Sequence, residues 1–251
     1  MQILQSRWEN KGKNMKRALI VAATGGFLKG FLIPDMKLLQ KMGYEVHCAA
    51  NGNSVSTFVP EELFASIGVM FHQIDFSSNK PISKETIVSY LEVKKIIKEN
   101  YFDVIHVHTP IAGAITRYAC KNQRKRGTTV IYTTHGFYFH KYSSKKTWLI
   151  FHTIEDFMSR YTDAMITINH EDYNNAKIMH CSKVYYIPGV GVDTKRYTDI
   201  VINRNDYRKK LGIGKDDLLI LAVGELSEKS SNYYKGIIRI KNTKCRIYDL
   251  R

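Results

Sequence analysis

Three histidines stand in two apolar segments that are typical of buried strands. His106 and His108 are two residues apart in DVIHVHT (103–109), and His135 ends TTVIYTTH (128–135). Side chains alternate between the faces of a strand, so His106 and His108 share one side. Metal ligation is one interpretation, but no third ligand stands at a recognisable spacing, and we favour histidines that are satisfied by hydrogen bonds or that orient a loop. His135, before a glycine turn, is suited to binding or acid–base chemistry.

A glycine-rich segment, TGGFLKG (24–30), follows the first apolar run, RALIVAA (17–23). Gly25 and Gly26 would let backbone N–H groups approach an anion at the N-terminus of the next helix. The spacing is not G-x-G-x-x-G, and AAN (49–51) ends the second strand where a dinucleotide site needs an acid. We therefore disfavour a nicotinamide dinucleotide, and a simple tight turn is an equal alternative to an anion site.

The elements that would position these residues alternate between strands and helices. Seven short apolar runs are typical of buried parallel strands, at 17–23, 45–50, 69–76, 103–109, 128–135, 163–168 and 183–187. Helices are expected at 31–43, 60–68, 83–100, 111–126 and 170–180, the third with Ser83 as its N-cap. This order predicts an α/β, Rossmann-like, doubly wound parallel sheet. Ligands of such sheets bind at the carboxyl ends of the strands.

The alternation stops at the turn-rich segment IPGVGVDTKRY (187–197), after which one helix (206–211) and one strand (217–224) are expected. About 30 residues then remain, which is too few for a second core. We expect five parts: a non-domain extension at 1–15, a Rossmann-like domain at 16–187, a hinge at 188–205, the start of a second domain at 206–229 and an aberrant basic tail at 230–251.

The formal net charge is +15, and most of the excess lies near the ends of the chain. Residues 1–17 contain five Lys or Arg against one Glu, and residues 226–251 contain seven against one Glu and one Asp. The folded body is therefore only mildly basic, which favours an enzyme that faces phosphates or an anionic membrane. A nucleic-acid partner is not expected, because it would need a basic stripe with interleaved aromatics on that body.

Cysteine usage and hydropathy indicate the compartment. The four cysteines are far apart and form no CxxC pair, at Cys48, Cys120, Cys181 and Cys245. This spacing predicts a reduced chain with neither a disulfide framework nor a zinc site. No window approaches 18 uninterrupted apolar residues, and the first residues lack the apolar core of a signal peptide. We expect a cytoplasmic protein.

The segment 144–161 has two interpretations. It joins two cations, Lys145 and Lys146, to the apolar run TWLIFHTI (147–154). A helix lying at a membrane interface would carry Lys and Trp at one edge in this way. We favour a core helix with a basic entrance and retain the interfacial helix as the alternative.

Taken in order, these segments resemble the family-4 glycosyltransferases, above all the branch that builds bacterial capsular and exopolysaccharides. The motifs are RALIVAATGGFLKGFLIPDMKLLQKMGYEVHCAAN (17–51), DVIHVHTPIAGAITR (103–117), TTHGFYFH (133–140), SRYTDAMITINHEDY (159–173), IPGVGVDTKRY (187–197) and LAVGELSEK (221–229). An ordered series of motifs is far more specific than any one of them.

The resemblance implies the GT-B architecture, in which two Rossmann-like domains face each other across a cleft. The N-terminal domain would hold the acceptor, a lipid-linked glycan, and the second domain a nucleotide sugar, which we expect to be UDP-linked. Neither metal nor cofactor would be needed. Transfer would retain the anomeric configuration, with catalysis resting on charge stabilisation at the leaving diphosphate. The resemblance also implies peripheral contact with the inner membrane surface.

The resemblance carries these roles onto individual positions. His135 would be the catalytic cleft histidine that contacts the transferring sugar. The rest of the acceptor and donor cleft would comprise Gly25, Gly26, Lys29, His108, Thr109, Gly136 and Phe137. The hinge would contain Gly189, Gly191 and Asp193, and Lys229 is the candidate for the donor phosphates.

The chain departs from the family after Lys229, where the Glu, seven residues, Glu motif is missing. We therefore expect the chain to be inactive alone. One interpretation is a transferase whose donor domain comes from a second polypeptide, and the other is an inactive remnant that is at most a sugar- or lipid-binding module. We expect a lost or gained base near Lys229, because a one-nucleotide shift can restore the family continuation KNHQ and a Rossmann-like pattern over 230–251. The nucleotide sequence past the stop codon tests this.

Overall fold

Seven parallel strands form one sheet in the order β3-β2-β1-β4-β5-β6-β7. The computed structural model describes residues 15–53, 58–76, 83–198, 201–215, 217 and 219. The strands are β1 (Lys16–Thr24), β2 (Tyr44–Asn51), β3 (Met70–Gln73), β4 (Val104–His108), β5 (Thr129–Thr134), β6 (Ala164–Thr167) and β7 (Val184–Tyr186). The strand order reverses between β1 and β4. The predicted doubly wound, Rossmann-like sheet is thereby confirmed.

Helices connect the strands in the expected alternation. They are α1 (Gly25–Phe27), a π-helical turn (Leu28–Leu32), α2 (Ile33–Lys41), α3 (Glu61–Ala65), α4 (Lys84–Glu99), α5 (Pro110–Ala119), α6 (Lys121–Lys125), α7 (Lys145–Ser159), α8 (His170–Lys177), α9 (Lys195–Thr198) and α10 (Arg204–Lys210). The chain divides into two compact units, one ending at Gly191 and the other beginning at Val192.

Residues on the central strand β1 alternate between two cores. Leu19 and Val21 belong to the cluster that contains the inner faces of α4 and α5, whereas Ala18, Ile20 and Ala22 belong to the cluster on the other face. All five are at most 1% exposed. A strand covered on both sides reads as a continuous apolar run, which is why its position was predictable.

Several element boundaries differ from the predictions for local reasons. Helical structure starts at Gly25 rather than at 31, because the Thr24 hydroxyl accepts a hydrogen bond from the Phe27 amide (3.2 Å) and caps the turn. The helix predicted at 111–126 is interrupted at Cys120. Ser83 caps α4 as predicted, accepting from the Thr86 amide. The strand predicted at 217–224 lies outside the described residues except for positions 217 and 219.

The preferred interpretation of the segment 144–161 as a core helix is wrong. Of the residues of α7, only Glu155 and Ser159 are buried, while Leu149 is 63% exposed and Ile150 is 42% exposed. Four consecutive apolar residues from 148 to 151 are spread around the helix circumference at about 100° intervals, and one neighbouring layer covers only part of them. The helix therefore presents apolar side chains to its surroundings.

Candidate functional site

The candidate site lies where the carboxyl ends of β1, β4 and β5 meet, beside the reversal of strand order. A hydrogen bond from the Ala23 amide to the Thr109 hydroxyl (3.1 Å) joins the end of β1 to the loop after β4. The ring of Phe27, in the first turn after β1, meets the ring of His135 edge-on at 4.8 Å between centroids. In open α/β sheets this crevice is the usual ligand position.

The three histidines of the sequence analysis form one cluster at this edge. The Nδ1 atom of His108 shares a hydrogen bond with Nε2 of His135 (3.1 Å). His106 and His108 lie on the same side of β4, as predicted, with ring centroids 4.2 Å apart. His106 is held by a hydrogen bond between its Nε2 and the Thr133 hydroxyl (2.8 Å). His108 thus orients His135 through this hydrogen bond.

Burial keeps these imidazoles neutral at ordinary pH. It lowers the pKa of His106 to about 4, with a smaller contribution from nearby His135. It also lowers the pKa of His108, which is 2% exposed, well below its usual value, and it lowers the pKa of the half-buried His135. The Nε2 atom of His108 has no hydrogen-bond partner among the described residues. The cluster can therefore offer neutral donors and acceptors, but not a cation.

Thr109 holds a strained backbone conformation at the edge of the site. Its φ of 62° and ψ of 143° make it the only residue other than glycine with positive φ in the described part of the chain. Such a conformation costs about 1–3 kcal/mol and persists only where neighbours impose it. The Thr109 hydroxyl accepts from the Ala23 amide and donates to the His108 carbonyl (2.6 Å), while its own carbonyl accepts from the Gly113 amide.

Close packing around the glycine-rich segment explains why residue 25 is a glycine. A Cβ added at Gly25 would lie 3.1 Å from the Cα of Gly52 and 3.3 Å from the Cβ of Val59. A Cβ added at Gly30 would meet nothing within 4 Å. Gly26 and the exposed Lys29 lie in helical turns beside the site. Anion binding by these turns stays a prediction.

The loop after β5 is fixed by two acids that the sequence analysis did not assign. Gly136 adopts a φ of 125°, and the next amide, that of Phe137, donates to the Asp172 carboxylate (3.1 Å). Glu171 accepts from the Lys141 amide (2.7 Å). Burial raises the pKa of Asp172. The signal was present, because HEDY follows Asn169, a typical N-cap, at the start of α8.

The predicted hinge residues lie around the division between the two units. Gly189 and Gly191 have positive φ angles of 103° and 75°, which favour glycine. Asp193 accepts a hydrogen bond from the Lys195 amide (3.2 Å) at the start of α9. The hinge role stays a prediction, and Lys229 lies outside the described residues.

Two features are absent from the described ranges, a metal-binding cluster and a membrane-spanning helix. These ranges contain no group of three or more His, Cys, Asp or Glu side chains that could hold a metal ion. Within them, no helix has both the length and the apolar character that a membrane crossing requires.

Known proteins similar to this chain include curated relatives. EpsD of Bacillus subtilis (strain 168), whose name describes it as a candidate glycosyltransferase, is 34% identical over 215 residues, which cover 84% of this chain and 54% of EpsD. The UDP-Gal:alpha-D-GlcNAc-diphosphoundecaprenol alpha-1,3-galactosyltransferase of Escherichia coli is 27% identical over 58% of this chain and 38% of its own. The chain spans about half the length of the curated relatives it matches, or less.

Two solved structures have a fold similar to that of this chain. Sucrose-phosphate synthase from Thermosynechococcus elongatus superposes with a TM-score of 0.62 at 13% identity, over 90% of this chain and 60% of that chain. A glycosyltransferase from Rickettsia africae gives a TM-score of 0.57 at 14% identity, over 88% and 55%.

The family expected from the motifs is confirmed by a match to a family model. That model, described as "Glycosyl transferase 4-like", covers residues 18–169, which include the strand ends that carry the histidine cluster. More than half of the sequence is matched, and the chain therefore belongs to the glycosyl transferase 4-like family.

Proposed function

We propose that this chain is the acceptor-side half of a sugar transferase in bacterial surface polysaccharide synthesis. The observation that carries the proposal is the neutral His108–His135 pair beside strained Thr109, at the crevice of a family-4 domain. Functional sites concentrate such strain and such perturbed pKa values. The acceptor would be a lipid-linked glycan, and the donor a UDP-linked sugar bound without a metal. The Escherichia coli relative, whose name gives a UDP-sugar donor and a diphosphoundecaprenol-linked acceptor, supports this choice.

His135 is the residue that we assign to the transferring sugar. Its Nε2 is engaged with Nδ1 of His108, which leaves its own Nδ1 for a hydroxyl group of a substrate. A neutral imidazole suits a reaction in which the developing charge lies on the leaving diphosphate rather than on the histidine. Backbone N–H groups in the turn that begins at Gly25 are the candidates for stabilising that charge.

Contact with the inner membrane surface is part of the proposal. Ile87, Val88 and Leu91 on α4 are 61%, 52% and 57% exposed, and α7 exposes Leu149 and Ile150. Exposed apolar side chains in such number mark an interaction surface. The exposed pair at the start of α7, Lys145 and Lys146, suits anionic headgroups.

A two-polypeptide transfer assay tests the function. The full chain is mixed with radiolabelled UDP-galactose, a prenyl-diphosphate-linked N-acetylglucosamine and, in one arm, the separately expressed C-terminal half of EpsD. We expect label in the lipid fraction only when both polypeptides are present, because this chain matches only 54% of EpsD and the separately expressed half supplies the rest.

Two further measurements, donor hydrolysis by the chain alone and acceptor binding, distinguish the two-polypeptide transferase from the inactive remnant. Donor hydrolysis by the chain alone would show that it already contains a working donor site. Failure of both transfer and acceptor binding would leave only the inactive remnant and would contradict the proposal.

A further inference from the structure

An apolar groove of about 420 Å³ lies between three helices on one face of the sheet. Pro110, Ala114 and Tyr118 of α5 form its floor, Ile87 and Tyr90 of α4 line one side, and Phe151 of α7 lines the other. Its volume is within the range of about 300–1,000 Å³ that is usual for small-molecule sites. Neither the sequence motifs nor the histidine cluster indicates which ligand this groove binds.

Pro110 connects the lining of the groove to the candidate site. Pro110, at one end of the floor, is bonded to strained Thr109. In a parallel sheet each connecting helix starts at the carboxyl edge, so Ile87, in the first turn of α4, also lies towards that edge. From Pro110 to Tyr118 the floor runs for about 12 Å, at 1.5 Å per helical residue.

The lining suits a hydrocarbon chain and not a sugar or a nucleotide. Its one charged side chain, Glu155, is already engaged: Oε2 accepts from Nη2 of Arg117 (2.7 Å), and Oε1 accepts from the Tyr132 hydroxyl (3.4 Å). No second charged side chain lines the groove in the part of the chain that the structure describes. Ile87, on its rim, is 61% exposed and would gain cover from an apolar occupant.

Cationic side chains stand where the polar end of such an occupant would lie. Lys84 is the first residue of α4, and Lys145 and Lys146 are the first two of α7, so all three lie at the carboxyl edge of the sheet. All three are exposed, and the first turns of the two helices contain one acid, Glu85, against these three cations. This arrangement complements a ligand that has a hydrocarbon chain in the groove and a diphosphate at the edge.

We propose that the groove binds the isoprenoid chain of a diphosphate-linked acceptor. The inference rests on the proposed function and adds the lipid site to it. The chain lies over Ala114 between α4 and α7, the diphosphate lies near the lysines at the helix starts, and the sugar is thereby directed to the crevice at Thr109 and His135. A chain held in this way confines the sugar at the reacting edge, which raises its effective concentration there.

Calorimetric titration of the full chain with farnesyl diphosphate tests the site, with pyrophosphate as the headgroup control. We expect farnesyl diphosphate to bind at least about tenfold more tightly than pyrophosphate. Ala114→Phe fills the floor and should weaken farnesyl diphosphate binding by about tenfold or more. The matched control is Ala65→Phe, at an exposed position of α3 on the other face, which should leave binding unchanged.

Photo-crosslinking gives a second readout if Ala114→Phe does not fold. A benzophenone analogue of farnesyl diphosphate should label peptides from α4, α5 or α7 of the unmodified chain. Equal affinity for pyrophosphate and farnesyl diphosphate, wild-type affinity in a folded Ala114→Phe variant, or labelling confined to other elements would each overturn the proposal. So would a protein partner that occupies the groove while farnesyl diphosphate fails to bind.

The two proposals fail in different ways. If transfer to a prenyl-linked acceptor proceeds equally well with Ala114→Phe, the groove assignment is wrong and the sugar transferase stands. If farnesyl diphosphate binds as expected but no sugar is transferred in the two-polypeptide assay, the lipid site stands and the proposed function is wrong.

Discussion

The buried ion pair between Arg117 and Glu155 should control the stability of the domain. The Arg117 side chain is 0% exposed and that of Glu155 is 5% exposed, with Nη2 and Oε2 2.7 Å apart. The guanidinium also donates from Nε to the Gly113 carbonyl and lies 4.0 Å from the centre of the Tyr132 ring. Its Nη1 has no partner among the described residues. Glu155 therefore supplies the compensating charge for a cation that water cannot reach.

Glu155→Gln removes that charge and keeps the shape of the side chain. Breaking a buried pair from one side costs about 3–5 kcal/mol, because the remaining charge is left uncompensated. For a domain of this size, each kcal/mol lowers Tm by about 2–4 °C. We therefore expect a fall in Tm of roughly 6–20 °C, measured by circular dichroism and supported by urea unfolding.

Two further variants make the test specific. Replacing both partners, as Arg117→Met with Glu155→Leu, should recover most of the lost stability, because no charge is then buried. Arg17→Gln breaks the partly exposed Arg17–Glu45 pair, whose side chains are 40% and 28% exposed, and should cost less than about 1 kcal/mol. Control of the stability by the buried pair is ruled out if Glu155→Gln costs no more than Arg17→Gln, or if the double variant is as unstable as the single one.

Three further predictions concern packing, pH and the cleft. Gly25→Ala should cost about 1–3 kcal/mol in urea unfolding, since its Cβ would meet backbone, whereas Gly30→Ala should cost nothing; equal effects would contradict the packing role. The pKa of His106 is about 4 in the folded state, below its value in the unfolded chain, so the unfolded chain binds the proton first as the pH is lowered. Tm should therefore be constant above about pH 6.5 and should fall as the pH is lowered from about 6.5 to 4. A Tm that rises as the pH is lowered through that interval would contradict the burial of His106. His135→Ala should reduce transfer in the two-polypeptide assay by at least about tenfold without unfolding the domain, while His140→Ala, at an exposed position of the same loop, should not.

The sheet could be predicted because the patterns that specify its strands lie within short segments of the sequence. Strands such as β1 and β4 are covered on both faces, so each reads as an uninterrupted apolar run, and the period of two places His106 and His108 on one side. The carboxyl-edge rule then located His135 beside them. These inferences need only the order and composition of short segments.

The remaining features depend on residues that are distant in the sequence. Gly25 is needed because Gly52 and Val59 pack against it, and no motif within the first loop reveals that contact. The side chain of Asp172 holds the amide of Phe137 across 35 positions of the chain. The exposure of α7 depends on which neighbours cover it, and the apolar content of its own sequence pointed to the core. Packing between elements decides such cases, and single-segment patterns do not contain it.

The most direct test of the acceptor-side assignment is the equilibrium binding of a prenyl-diphosphate-linked N-acetylglucosamine to the full chain. The binding is measured by calorimetry in the absence of any donor. We expect saturable, one-to-one binding that is stronger than the binding of farnesyl diphosphate, because the sugar adds hydrogen bonds in the crevice at His135. Absence of saturable binding by a folded chain, or an affinity that the sugar does not increase, would contradict the acceptor-side assignment.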